Sequence, residues 1–173
     1  MACDKIPNRE DFRCALVQKQ GEEIVQKLER ATVVICGVGG LGSNVAINLA
    51  RAGIKKLILV DFDCVDVTNL QRQQYKASQV GEPKALALVE NLKEIAPYIE
   101  LEAYDEKITE ENIDKFVANA DVVCEAFDNP EVKSMLVNVV LERYPQKYLV
   151  AASGMAGTDD ANSIKTRKIS KHF

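Results

Sequence analysis

The chain has 173 residues, a formal net charge of −4 and 47% hydrophobic residues, a composition typical of one domain with a sizeable core. The negative charge disfavours a general nucleic-acid-binding protein, which usually carries a basic face. No apolar run approaches the roughly 20 residues of a membrane span, and the N-terminus lacks the apolar core of a signal peptide.

Apolar residues at helical spacing over residues 8–30 predict an amphipathic helical stretch, which Gly21 interrupts and can divide into two helices. Beyond it, strands are predicted at 32–36, 56–60, 99–104, 121–125 and 147–152. The segments between them predict helices at 41–52, 83–95, 109–118 and 130–143. Strands that alternate with helices predict an α/β fold, Rossmann-like and doubly wound, with a mostly parallel sheet and helices on both faces.

Two helix starts carry terminal signals, and the last segment carries a strand pattern. Thr109 precedes acidic residues and is the predicted N-cap of helix 109–118. Pro130 fits the first position of the next helix. Alternation over residues 163–173 predicts one further strand, and the only histidine, His172, is expected at the surface.

A glycine-rich turn joins the first predicted strand to the helix that follows. Gly37, Gly39 and Gly42 satisfy the G-x-G-x-x-G pattern, Gly40 adds a fourth glycine, and Asp61 closes the second predicted strand. Glycines there let backbone N–H groups approach a phosphate at a helix N-terminus, and the acid suits a ribose hydroxyl. The pattern predicts a nucleotide site; an NAD-dependent dehydrogenase and a tight turn without a ligand are the alternatives.

Residues 61–82 form a long predicted connection that is rich in polar side chains. Asn69 and Arg72 follow the acid closely, and a dehydrogenase has no use for them. Arginine offers a fork of donors to phosphate oxygens and asparagine adds neutral donors, so this segment favours a triphosphate. A solvated loop with scattered polar residues is the alternative.

Lys84 and Asp128 each allow a functional and a structural interpretation. Lys84 stands at a predicted helix start, where a cation is normally disfavoured, so it either points into solvent or binds an anion. Asp128 follows the fourth predicted strand, at the edge where open α/β sheets place their ligands. There it either holds Mg²⁺ beside phosphate oxygens or caps the following helix.

Nucleophilic hydrolysis and zinc binding are disfavoured. One histidine near the C-terminus leaves no Ser-His-Asp or Cys-His arrangement, and no zinc ligand set exists. The five cysteines lack CxxC spacing, and Cys36 and Cys124 lie in apolar runs typical of buried, inert thiols. This pattern predicts a reduced, cytoplasmic protein.

Together these motifs strongly resemble the ThiF/MoeB/HesA family of sulfur-carrier adenylyltransferases, bacterial relatives of the ubiquitin-activating enzymes. The resemblance covers about residues 31–160, and its Asn-Leu-x-Arg-Gln block is far more specific than the glycines. The continuation Gln73-Gln74-Tyr75 looks more like the ThiF branch. The matching motifs are Gly37-x-Gly39-Gly40-x-Gly42-Ser43, Asp61-x-Asp63-x-Val65-x-x-x-Asn69-Leu70-x-Arg72-Gln73, Gly81-x-Pro83-Lys84-Ala85 and Asp128-Asn129.

The resemblance implies a specific chemistry. Such enzymes use ATP and Mg²⁺ to adenylate the C-terminal glycine carboxylate of a ubiquitin-like sulfur carrier; the implied carrier is of the ThiS type, in thiamine biosynthesis, and the implied assembly is a homodimer. Arg72, Lys84 and Asp128 are the implied catalytic residues, with Asp128 supporting Mg²⁺. The implied nucleotide contacts are Gly37, Gly39, Gly40, Gly42, Asp61, Asp63, Asn69, Arg72, Gln73 and Lys84.

The chain also departs from the family pattern. Family dimers often contribute an N-terminal arginine to the partner's ATP, and both Arg9 and Arg13 lie in the corresponding region. Paired CxxC zinc motifs are absent, and the chain ends where relatives continue. We therefore expect a helical extension over 1–30 and a nucleotide-binding domain over 31–173, truncated at its C-terminus. The alternatives are activation of the molybdopterin carrier or another substrate by the same chemistry, or a non-catalytic nucleotide-binding fragment.

Overall fold

The computed structural model describes residues 6–152, 160 and 163–173. Five strands form one sheet, and their bounds are β1 (Thr32–Cys36), β2 (Lys56–Val60), β3 (Glu100–Tyr104), β4 (Val122–Glu125) and β5 (Tyr148–Ala151). The helices are α1 (Arg9–Gln20), α2 (Glu22–Leu28), α3 (Gly42–Ala52), α4 (Lys84–Ile95), α5 (Ile113–Val117) and α6 (Pro130–Arg143). Single 3₁₀ turns at Val67–Asn69 and Ala77–Gln79 interrupt the connection between β2 and α4.

The strand order is β3-β2-β1-β4-β5, and every pairing is parallel. The chain therefore starts in the middle of the sheet, winds outward to β3, and returns to the other side of β1. Cys36, the last residue of β1, lies opposite Val60 of β2 and Glu125 of β4. The winding reverses between β1 and β4, and open α/β sheets bind ligands at such a switch point.

The sheet is covered on both faces, which explains why β1 is buried along its whole length. Ile35 and Leu57 pack with Leu88 of α4 on one face, and Val34 packs with Phe116 of α5 on the other. Burying such side chains contributes about 1.5–3 kcal/mol each. The predicted fold class, Rossmann-like with helices on both faces, is confirmed.

The N-terminal extension consists of two helices, as the interruption by Gly21 suggested. The chain turns at Gly21 with φ of 85°, a conformation that glycine adopts without steric cost. Leu16 packs against Gly53, and the ring centroids of Phe12 and Tyr98 lie 5.6 Å apart. Gly53 and Tyr98 precede β2 and β3, so α1 lies at the end of the sheet opposite the switch point.

Two local predictions are wrong. The fifth helix begins at Ile113 and not at Thr109, because Thr109 enters a turn in which its N–H donates to Asn112 Oδ1 at 2.8 Å. In the described part of residues 163–173 no strand forms. Instead the carbonyl of His172 accepts a hydrogen bond from Leu149 N–H of β5 at 2.8 Å, which leaves His172 half-buried.

The cysteine prediction is confirmed for Cys36 and Cys124, which are buried and unpaired. Burial raises the pKa of both thiols, that of Cys124 to about 11. The first cysteine, Cys3, lies outside the described residues. No helix in the described ranges is long and apolar enough to cross a membrane.

Candidate functional site

The glycine turn after β1 is packed so closely that it requires glycine at two positions. Gly37 has φ of 88°, in the region that favours glycine, and its N–H donates to Val60 O at 2.8 Å. A Cβ on Gly42 would lie 1.9 Å from the carbonyl oxygen of Gly37. The first turn of α3 therefore sits directly on the end of β1. Its N-terminus opens at the switch point, where backbone N–H groups suit an anion.

Asp61 stabilises the glycine turn and also lies at the candidate site. Its Oδ2 accepts from Val38 N–H at 2.7 Å and its Oδ1 accepts from Asp63 N–H at 2.9 Å. Burial raises the pKa of this carboxyl, although both backbone bonds oppose the shift. A carboxylate offers about four acceptor sites, so two remain for a hydroxyl of a ligand.

The connection between β2 and α4 folds back over the glycine turn. Asn44 Nδ2 donates to Gly40 O at 2.7 Å and to Arg72 O at 3.1 Å. Tyr75 O–H donates to Val38 O at 2.7 Å, and burial raises the pKa of that hydroxyl. The connection is thus a structured part of the site and not a solvated loop.

Arg72 and Gln73 lie directly beside the glycines. Arg72 Nε would be 3.5 Å from a Cβ on Gly40, and the side chain is exposed. Gln73 is 7% exposed, and its Nε2 would be 3.8 Å from a Cβ on Gly39. The Oε1 of Gln73 is buried without a hydrogen-bond partner. Such orphaned oxygens are rare in native proteins, and this one is a candidate acceptor for a ligand at the turn.

Asn69 positions its neighbours. Its Oδ1 accepts from Asp66 N–H at 3.0 Å, and its carbonyl accepts from the N–H groups of Arg72 and Gln73 at 3.2 and 2.9 Å. The amide NH₂ group of Asn69 is the part of the side chain that can donate to a phosphate. The predicted binding residue is therefore also the anchor of the Arg72 segment.

Lys84 is buried, and neither interpretation from sequence included its actual partner. The residue is 6% exposed, and its Nζ lies 2.7 Å from Asp63 Oδ2. Its N–H also donates to Asp63 O at 2.8 Å. Asp63 thus offsets the unfavourable cation at the start of α4, and it leaves two of the three ammonium protons for an anion.

Asp128 lies in the loop between β4 and α6, next to the glycine turn. Both Ala126 O and the Phe127 ring would be 3.0 Å from a Cβ on Gly37. The predicted capping alternative for Asp128 is wrong, because Asn129 is the N-cap and accepts from the second and third residues of α6. Asp128 is exposed and has its carboxylate available.

A Mg²⁺ ion bound with a nucleotide fits this loop. No cluster of three or more His, Cys, Asp or Glu side chains forms a metal site within the described ranges. Magnesium, however, is usually held by one or two carboxylates together with substrate phosphates. Asp128 could provide one such carboxylate, because its loop packs on Gly37 at the end of β1.

Sequence reasoning missed one charged pair at the same edge. Glu125, the last residue of β4, is 1% exposed, and its Oε2 lies 2.6 Å from Lys133 Nζ of α6. Burial of a glutamate depends on which side chain folds against it, and no local spacing identifies that partner. The only signal in the sequence is an acid that closes an apolar strand.

Comparisons with known proteins identify the family of the chain. Residues 13–164 match the model of the ThiF family. A sulfur carrier protein adenylyltransferase of Thermus thermophilus is 36% identical over 139 residues, which is 80% of this chain and 46% of that protein. A sulfur carrier protein ThiS adenylyltransferase of Escherichia coli is 40% identical over 105 residues, 60% of this chain and 42% of that protein.

A solved structure shares the fold over most of this chain. The tRNA N6-threonylcarbamoyladenosine dehydratase of Escherichia coli, in complex with ATP, matches with a TM-score of 0.82 at 28% identity. The match covers 91% of this chain and 66% of that one. The chain thus spans about half the length of the two adenylyltransferases, 46% and 42%, and two thirds of the dehydratase, 66%.

Proposed function

We propose that this chain, which belongs to the ThiF family, binds ATP with Mg²⁺ and adenylates a carboxylate. The observation that carries the proposal is the convergence at the switch point of a glycine turn, the Arg72–Gln73 segment and the buried Lys84. Cations beside a helix N-terminus suit a polyphosphate. The proposed substrate is the C-terminal glycine carboxylate of a ubiquitin-like sulfur carrier of the ThiS type.

The proposed reaction needs positioning and charge stabilisation but no general base. A carboxylate oxygen of the carrier attacks the α-phosphorus of ATP; a new O–P bond forms and the bond to pyrophosphate breaks. Arg72 and Lys84 would neutralise phosphate charge, Asn69 would donate to a phosphate oxygen, and Asp61 would hold the ribose. A Mg²⁺ ion held by Asp128 would supply further charge neutralisation at the phosphates.

Two observations support ATP over a nicotinamide dinucleotide. Arg72 is exposed beside Gly40; its Nη1 donates to Thr68 O at 3.1 Å, which leaves the other guanidinium N–H groups for a γ- or β-phosphate, whereas a dinucleotide has no third phosphate. A family relative of the same fold is solved in complex with ATP. The name of that relative describes a tRNA dehydratase, so a substrate other than a sulfur carrier is the second candidate. The molybdopterin carrier is another candidate that the same chemistry could serve.

The proposed assembly is a homodimer in the cytoplasm. Helix α1 lies at the end of the sheet away from its own candidate site, so an arginine on it could contribute only to the site of a second copy. Arg13 is engaged by Glu22 at 2.5 Å and Glu29 at 3.0 Å. Among the described residues Arg9 forms no ion pair, which makes it the better placed arginine for a partner's phosphate.

The test is ATP–pyrophosphate exchange with purified candidate carriers. We expect exchange only with a carrier that ends in Gly-Gly, strongest with the ThiS-type protein, and none with a carrier whose last glycine is deleted. Exchange stimulated by tRNA would instead favour the second candidate. ATP binding without exchange in any of these reactions would reduce the function to nucleotide binding.

A further inference from the structure

The ion pair of Glu125, which is buried, and Lys133, whose side chain is 19% exposed, has no role in the proposed chemistry, yet it lies at the edge of the site. Glu125 Oε1 accepts from Phe127 N–H at 2.7 Å, and Oε2 pairs with Lys133 Nζ at 2.6 Å. Lys133 Nζ also donates to Ala152 O at 2.8 Å, just beyond β5. The pair therefore joins the end of β4, the first turns of α6 and the end of β5.

Burial of the Glu125 charge is costly, and the hydrogen bonds of the pair show which elements it joins. Removing a carboxylate from water carries a desolvation penalty that only good geometry and further hydrogen bonds offset. Here each charge has two partners, so the pair defines one arrangement of three elements. A hydrophobic pair in the same place would bury more easily but would not fix the Phe127 amide.

The element that this arrangement fixes is the loop over residues 126–129. Glu125 holds the loop at its start through Phe127 N–H, and Asn129 holds its end by capping α6 at 2.9 and 3.1 Å. Between these two anchors the loop packs onto Gly37 and carries Asp128. The backbone on both sides of Asp128 is thus held by the Glu125 and Asn129 side chains.

We propose that Glu125 and Lys133 are positioning residues that hold the Asp128 carboxylate in place for the metal bound with ATP. This inference rests on the proposed function. Residues that orient a metal-binding group typically change metal affinity or activity by about 10–100-fold when they are replaced. In the described ranges neither Glu125 nor Lys133 forms a hydrogen bond with the glycine turn, Arg72 or Lys84, so nucleotide binding without metal is expected to change less than binding with Mg²⁺.

The test uses Glu125→Gln, which keeps the size of the side chain but removes the charge that pairs with Lys133 and weakens the bond from Phe127 N–H, because a neutral amide oxygen replaces a carboxylate. Lys133→Arg is the conservative rescue variant, because it keeps the cation. Glu102→Gln is the matched control, since it breaks an ion pair of the same length, 2.6 Å to Lys56, on the exposed edge strand β3. The measurements are the Kd for ATP by calorimetry in Mg²⁺ and in EDTA, the melting temperature, and hydrogen–deuterium exchange of residues 126–129 without ligand.

We expect Glu125→Gln to raise the Kd for ATP in Mg²⁺ by about tenfold, to change the Kd in EDTA less, and to speed exchange in the 126–129 loop. Lys133→Arg and Glu102→Gln should keep the Mg²⁺-dependent affinity. A lower melting temperature with the same Kd values would make the pair purely structural and overturn the inference alone. A parent chain that binds no ATP would overturn the proposed function, and the inference with it.

Discussion

At the scale of single residues, Arg72 and Lys84 carry the same proposed role in different surroundings. Arg72 is exposed, whereas Lys84 is 6% exposed and paired with Asp63. We predict that Arg72→Ala weakens adenylation by about 2–4 kcal/mol in the transition state and leaves stability nearly unchanged. Lys84→Met should weaken adenylation similarly and also cost about 1–3 kcal/mol of folding free energy, because it removes a charged hydrogen bond.

ATP–pyrophosphate exchange rates measure the loss of adenylation in both variants, and urea unfolding measures their difference in stability. Lys76→Met is the control, since it also replaces a lysine that forms an ion pair, in this case an exposed one with Glu94. Pyrophosphate exchange at the parent rate in both Arg72→Ala and Lys84→Met would remove these cations from the site.

The sequence identified both cations but only partly described Lys84. Its position after Pro83 indicated a helix start, where a cation either points into solvent or binds an anion. The anion that the folded protein provides is Asp63, 21 residues earlier, brought there by the antiparallel bridge between Cys64 and Pro83. Contacts that depend on how a long connection folds back are not encoded in local spacing.

At the scale of elements, the β1–α3 turn makes a sharp prediction about its glycines. A Cβ on Gly42 would lie 1.9 Å from Gly37 O, whereas the nearest atom to a Cβ on Gly40 would be Arg72 Nε at 3.5 Å. We predict that Gly42→Ala costs about 3 kcal/mol or more, since a backbone oxygen must move. Gly40→Ala should stay within about 1 kcal/mol of the parent. Urea unfolding of the two variants measures the difference; equal stability would contradict the packing at Gly42.

The start of α6 separates capping from metal binding at adjacent positions. Asn129 accepts from Glu131 and Val132 N–H, while the Asp128 side chain is exposed. We predict that Asn129→Ala lowers stability by about 0.5–2 kcal/mol. Asp128→Asn should leave stability within about 0.5 kcal/mol but remove most of the gain in ATP affinity that Mg²⁺ provides, because a hard cation prefers a charged ligand.

Thermal unfolding and calorimetry in Mg²⁺ and in EDTA check both halves of this prediction. If Asp128→Asn lowers the stability but leaves the effect of Mg²⁺ on ATP affinity unchanged, Asp128 has a structural role and does not bind the metal. The sequence placed the helix start correctly at Pro130, but the cap considered for it was Asp128 and not the adjacent Asn129. Only the backbone geometry, extended at Asn129 with φ of −79° and ψ of 119°, distinguishes them.

At the scale of the whole molecule, hydrophobic patterning predicted the architecture well. All five strands and their parallel arrangement followed from the alternation of predicted strands with helices, because strands joined by helices usually pair in parallel. Patterning predicted less at the ends of elements, as the late start of α5 at Ile113 shows. There a turn closed by the Asn112 side chain replaces the first helical turn, and propensity alone does not distinguish the two.

For the candidate site, too, the sequence predicted the residues of local motifs but not the contacts between distant segments. The glycine turn, Asp61 and Arg72 lie where the motifs placed them because short, contiguous segments hold them. Glu125 and Lys133 were not predicted, since their pairing depends on the packing of α6 against β4. The structure thus adds the charged pairs that hold the predicted residues, and these are contacts between distant segments.

The most direct test of the central claim is a pair of calorimetric titrations of the chain, one with ATP in Mg²⁺ and one with NAD. A glycine turn alone is compatible with either nucleotide, whereas Arg72 beside it favours a triphosphate. We predict saturable binding of ATP, weakened in Arg72→Ala, and no saturable binding of NAD. Tight binding of NAD with no binding of ATP would contradict the account.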